Sequence, residues 1–112
     1  MNDLRYVQGP AELPAIQEQI ERLWHKFPAS AEFAGLVKRD PNVGELDFSV
    51  PAPLRLDAKG SGLTTEITTV ALAILTTVAS DLTKDALILV WKEYLHPKIQ
   101  VLLGKDVLKD KP

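Results

Sequence analysis

Between residues 66 and 95 the chain carries Ile67, Val70, Leu72, Ile74, Leu75, Val78, Leu82, Leu87, Ile88, Leu89, Val90 and Trp91 among small residues, with few charges. An element that is apolar on nearly every side has to be surrounded, by its own domain, by a partner chain or by lipid. Residues 86–91 alone also fit a buried strand. Ala and Leu dominate, however, and Lys92-Glu93-Tyr94-Leu95 continues without a turn signal, so the pattern predicts one long apolar central helix over 64–95, broken near Ser80-Asp81. The uncharged run 67–80, bounded by Glu66 and Asp81, would extend only about 21 Å as a helix, short of the ~30 Å hydrocarbon core. A transmembrane span is not expected.

Around that helix two other elements are legible. Leu13, Ile16, Ile20, Leu23, Trp24 and Phe27 recur at three- and four-residue steps, with Glu18, Glu21, Arg22 and Lys26 on the other side. This is an amphipathic helix over 11–27, with Pro14 in its first turn and Pro28 ending it. Ser30-Ala31-Glu32-Phe33 opens a short helical turn through Leu36 and Val37, followed by a solvated loop at 38–42. Leu46, Phe48, Val50, Ala52, Leu54, Leu56 and Ala58 are then all apolar and all even-numbered, a two-residue alternation that predicts β structure with one buried face. Pro51 and Pro53 share the odd parity, so both missing N–H groups fall along one edge. The segment therefore reads as an edge strand, either a hairpin with its loop at Pro51-Ala52-Pro53 or one bent strand, paired with residues 3–7 or 99–103. Residues 3–8 themselves read as a short strand or a frayed end. Pro97 places a kink or restart at His96, and Gly104 a stop.

The bulk numbers set outer limits. At 112 residues, 46% hydrophobic and 25% charged, the chain has the make-up of a soluble globular domain, expected to occupy 1–104 with a charged, poorly ordered tail at 105–112. Net charge is −2 with Lys and Arg scattered, so a phosphate-neutralising basic patch is not evident and nucleic acid is not an expected partner. The absence of cysteine excludes disulfides and thiolate metal sites. The first residues lack the basic-then-apolar order of a secretory signal, and the expected location is cytoplasmic.

Candidate chemistry is sparse. Residues 56–65 place Lys59-Gly60-Ser61-Gly62 before a helix start, but the Walker spacing and the third glycine of a dinucleotide fingerprint are missing, so a flexible connector is expected. His25 and His96 have no spaced companions, and neither is expected to be catalytic or a metal ligand. Asp81 and Asp85, with Lys84 between them, read as a solvated patch. Thr65, Thr69, Ala73, Thr76, Thr77 and Ser80 would line one face of the central helix with small side chains, a contact site for a second helix from this chain or another copy.

The expected fold is thus α+β, mainly helical, with the amphipathic helix and the β-ribbon packed around the central helix. The expected function is a non-catalytic protein–protein interaction module, acting as an adaptor or by self-association, without a cofactor. A small carrier for an apolar ligand, and a minimal enzyme whose site is assembled only in space, are the alternatives.

Overall fold

The computed structural model describes residues 4–9, 12–58, 69–74 and 81–110. The fold is α+β. Strand β1 (Leu4–Gln8) leads to helix α1 (Leu13–Lys26), a 3-10 turn at Phe27–Ala29, and helix α2 (Glu32–Arg39). A second 3-10 turn (Pro41–Glu45) and a loop then lead into strand β2 (Leu54–Ala58). Strand β3 (Thr69–Ile74), helix α3 (Asp81–Val90), a π-helical segment (Trp91–Leu95), helix α4 (His96–Leu103) and strand β4 (Leu108–Asp110) follow. The four strands form one antiparallel sheet in the order β2-β3-β1-β4.

Helix α1 forms where its periodicity places it. Ile16, Ile20, Leu23 and Trp24 are buried, and Pro14 is tolerated because the first-turn N–H groups have no intrahelical partner. Tyr6 of β1, Leu54 and Leu56 of β2, Val70 and Leu72 of β3 and Leu108 of β4 join the buried faces of the helices in one core. A Leu or Ile side chain buried fully in such a core stabilises it by roughly 1.5–3 kcal/mol.

The single central helix over 64–95 is not what the chain forms. Thr69–Ile74 is a strand, and the helical run begins at Asp81 and continues to Leu103. The reason lies in side-chain branching. Three of the six residues of β3, Thr69, Val70 and Ile74, are β-branched, and their restricted χ1 disfavours helix and suits a pleated sheet. Val70 and Leu72 are accordingly buried at two-residue spacing. Among the described residues no helix is long and apolar enough to cross a membrane.

The helix passes Pro97 without breaking, because the turn before it widens. The His96 N–H reaches back five residues to the Trp91 carbonyl, giving the π-helical segment just ahead of a residue that cannot donate and whose ring crowds the preceding turn. The widening also brings residues five apart together. In an α-helix they would point about 140° apart. Here the His96 and Trp91 rings stack, with centroids 5.3 Å apart and planes 6° from parallel.

The β-ribbon is shorter than its alternation implies. Only Leu54–Ala58 is a strand, and its partner is β3 rather than residues 3–7 or 99–103. Ahead of it, Phe48 is drawn against Trp24 and Phe27, at centroid distances of 4.4 and 5.3 Å, which turns the chain toward α1 and away from the sheet. Pro51-Ala52-Pro53 is the irregular lead-in to β2, neither a hairpin loop nor part of a bent strand. Phe48, Ala52, Leu54 and Leu56 are buried as the even parity implies and Leu46 is half-buried, but Val50 is 43% exposed.

Where the composition from Lys105 onward reads as a charged tail, Leu108–Asp110 pairs with Tyr6, Val7 and Gln8. Val107 and Leu108 have no exposed surface, and two apolar residues suffice to fold a segment back when a strand edge is available. Gly9 makes this possible. Its N–H donates to the Val107 carbonyl at 2.9 Å, and a Cβ there would lie on the Asp106 carbonyl.

Candidate functional site

Helix α1 presents a row of polar groups to the chain segment 48–56. Gln17, Glu21 and Trp24 follow at four- and three-residue steps, with His25 beside them, so all four side chains reach the same neighbour. The Gln17 amide donates from Nε2 to the Leu54 carbonyl at 2.9 Å, and its Oε1 accepts from the Leu56 N–H at 3.1 Å. Glu21 Oε1 accepts from the Ala52 N–H at 2.9 Å, Trp24 Nε1 donates to the Val50 carbonyl at 3.0 Å, and His25 Nδ1 donates to the Phe48 carbonyl at 2.8 Å. Gln17 thus stands in for one residue of a neighbouring parallel strand, bonding the residues on either side of Arg55.

Those bonds fix which way β2 faces. The polar groups of Leu54 and Leu56 point away from β3, so those of Arg55 and Asp57 point toward it. Pro53, of the same parity as Arg55, has no N–H to offer β3, and the β2–β3 ladder accordingly begins at Leu54.

Held this way, the segment 45–55 forms one wall of a groove of about 550 Å³ whose other sides are α1 and α3. Trp24, Ala52, Leu54 and Leu87 make its buried floor, and Leu46, Val50, Pro51 and Pro53 its sides. Among the described residues the rim carries Glu21, Glu45 and Asp47 against one cation, Arg55. Asp47 Oδ1 accepts from the Ser49 Oγ at 2.6 Å and from the Ser49 N–H at 2.9 Å. Both bonds favour the carboxylate, the hydroxyl bond most, and hold Asp47 below the usual carboxylate range. The rim is anionic at neutral pH. A second, shallower depression between α2 and Glu93 is crossed by the Arg39–Glu93 ion pair at 2.7 Å.

The sequence-derived candidates are dispersed. Thr69 and Ala73 lie in β3, so the helical face of small residues does not exist there, because a strand repeats every two residues and not every three or four. Thr65, Thr76, Thr77 and Ser80 lie outside the described residues, as does the connector 59–62. Of the edge-strand candidates, Leu54 and Leu56 are in β2, an outer strand of the sheet, while Leu46, Phe48, Val50, Pro51 and Pro53 belong to the groove wall or its anchor. His25 is spent on the loop. His96 stacks on Trp91 and donates from Nε2 to the Leu108 carbonyl at 2.9 Å. Among the described residues no group of three or more His, Asp or Glu side chains comes together as a metal site.

Gln17 and Glu21 were not readable as site residues, because their partners are backbone groups, which leave no mark on the sequence. A polar row flanking the apolar stripe of α1 is the one trace. Neither a family model, nor a curated protein, nor a solved structure matches this chain, so its functional reading rests on its own geometry.

Proposed function

We propose that this chain is a non-catalytic protein-interaction module, and that the groove between α1, α3 and the segment 45–55 is its docking site for an apolar segment of a partner that also carries Lys or Arg. One observation carries the reading: an apolar floor lies under a rim that, among the described residues, holds three carboxylates and one guanidinium. Apolar surface supplies affinity, and the anionic rim selects a cationic partner and speeds encounter. The wall is set in advance, since α1 holds Phe48, Val50, Ala52, Leu54 and Leu56 by their backbones. Little ordering remains to be done on binding. The carrier reading draws on the groove volume, which falls in the range of small-ligand sites. The charged rim favours a peptide over a purely apolar ligand.

The test is a random peptide library displayed on phage and selected against the chain. Selected peptides are expected to combine apolar residues with Lys or Arg, and to lose at least tenfold in affinity toward Val50→Asp and toward Glu45→Lys. Binders indifferent to either substitution, or a library that yields none, overturn the proposal.

A further inference from the structure

Among the described residues three large apolar side chains stand exposed: Val50, Val101 and Leu102. Val50 is on the groove wall, and the other two are at the end of α4. Val101 is 81% exposed and Leu102 56%, so they protrude beyond the helix and form a knob.

The knob is rigid. Gly104, at φ +108°, turns the chain out of the helix while its N–H stays bonded to the Gln100 carbonyl at 2.9 Å. The Gln100 amide donates to the Lys105 carbonyl, and the Val107 N–H donates to the Gly104 carbonyl. Lys98 and Lys105 flank it, one turn before and just after. Lys98 lies 3.4 Å from Glu32.

We propose that the occupant of the groove is this knob from a second copy of the chain: Val101 and Leu102 seat on the groove floor beside Val50, with Lys105 toward the rim acids. The inference rests on the docking reading above. Two features support it. The molecule exposes an apolar knob followed by the cation Lys105, Lys98 being ion-paired to Glu32, and an apolar groove with an anionic rim, and contact between them removes apolar surface of both from water. The two surfaces are also tied to opposite edges of the sheet. The groove is built on β2, and α4 is fastened through His96 to β4, three strand spacings or about 14 Å away. The contact therefore joins different surfaces of two copies, head to tail.

The experiment is sedimentation or light scattering of the whole chain from about 10 μM to about 1 mM. The mass is expected to rise above that of one chain with concentration. Leu102→Glu and Val50→Asp, both at exposed positions, should each weaken association at least tenfold while leaving the circular dichroism spectrum and urea midpoint unchanged. Val101→Glu serves in place of Leu102→Glu if that variant is unstable. Mixing the two variants is decisive. Each retains the surface that the other lacks, so the mixture should regain a 1:1 complex. A chain that stays monomeric throughout, or variants that associate like the parent, or a mixture that regains nothing, overturns the inference. If library peptides still lose affinity for Val50→Asp in that case, only the identity of the occupant is lost. Peptides indifferent to Val50→Asp overturn the docking reading as well.

Discussion

The two outer strands of the sheet end in the same way and lead to different surroundings. On β2 the outward carbonyl of Leu54 is taken by the Gln17 amide of α1, and on β4 the carbonyl of Leu108 is taken by the His96 ring of α4. An uncovered strand edge is a template for pairing with other chains, and a helix side chain on the edge blocks it. Beyond Gln17, however, the chain opens into a groove with a charged rim. Behind His96 it closes, with the Trp91 ring stacked on the imidazole, the Tyr6 ring 4.9 Å from it, and Trp91 Nε1 donating to the buried Tyr6 hydroxyl at 2.7 Å. The β4 end spends its aromatic surface on holding the fold. What apolar surface its helix α4 leaves exposed is a knob, Val101 and Leu102, whereas the β2 end leaves its apolar surface as a groove, which is why the docking reading is placed there.

The closed end should be the less forgiving. Gly9→Ala puts a methyl group on the backbone of Asp106 and Val107, and backbone cannot swing aside as a long side chain can. Relief requires β1 and the turn before β4 to part, exposing Val107 and Leu108. The expected cost is about 3 kcal/mol or more, the upper end for overpacking. Urea unfolding followed by circular dichroism measures it. A loss under about 1 kcal/mol would mean that the β4 end is loosely attached, and the contrast between the two ends would collapse.

The open end should respond more mildly and more locally. Gln17→Leu leaves the Leu54 carbonyl and the Leu56 N–H without their partner on two buried residues. A buried group left unpaired costs about 1–3 kcal/mol, toward the low end beside a groove that admits water. Amide exchange gives the sharper reading. Protection at Leu56 should fall in Gln17→Leu and persist in Gln17→Glu, which keeps the acceptor and loses only the donor to Leu54. Unchanged protection in Gln17→Leu would show that the edge is not held by this side chain.

How legible each end was in the sequence follows the kind of interaction that builds it. The stripe on α1 was readable because Ile16, Ile20 and Leu23 bury against whatever lies beneath, and periodicity reports burial. The same rule misled over Thr69–Ile74, where apolar content was weighed above branching and a strand was read as helix. It misled again over 46–53, where the alternation is real but Phe48 is captured by Trp24 and Phe27, a tertiary contact that overrides local preference. The strand β4 rests on Val107 and Leu108 alone, too short a run for any period to show. The groove was illegible for another reason. It is made by side chains bonding to backbone across 23 to 39 residues of sequence, and backbone is the same everywhere.

The smallest expected effect lies on the rim of the groove, at Asp47. The two bonds from Ser49 hold this carboxyl below the ordinary aspartate value of about 3.9, the Oγ bond contributing most. Because the folded value is depressed, whatever the turn gains from the pair is present above that ordinary value and lost as pH falls through the folded one. Asp47 is fully exposed, so global stability should hardly register it. A carboxyl-carbon NMR titration should place Asp47 below the ordinary value. Ser49→Ala should move it most of the way back, leaving the part due to the Ser49 backbone N–H, which alanine retains. If Asp47 titrates at the ordinary value in the parent chain, the Asp47–Ser49 turn is not formed in solution and the rim is less preorganised than the groove geometry requires. If it titrates low in both chains, the depression comes from the backbone bond and not from the hydroxyl. The open end would then owe its charge to the path of the loop, as it owes its shape to the bonds from α1.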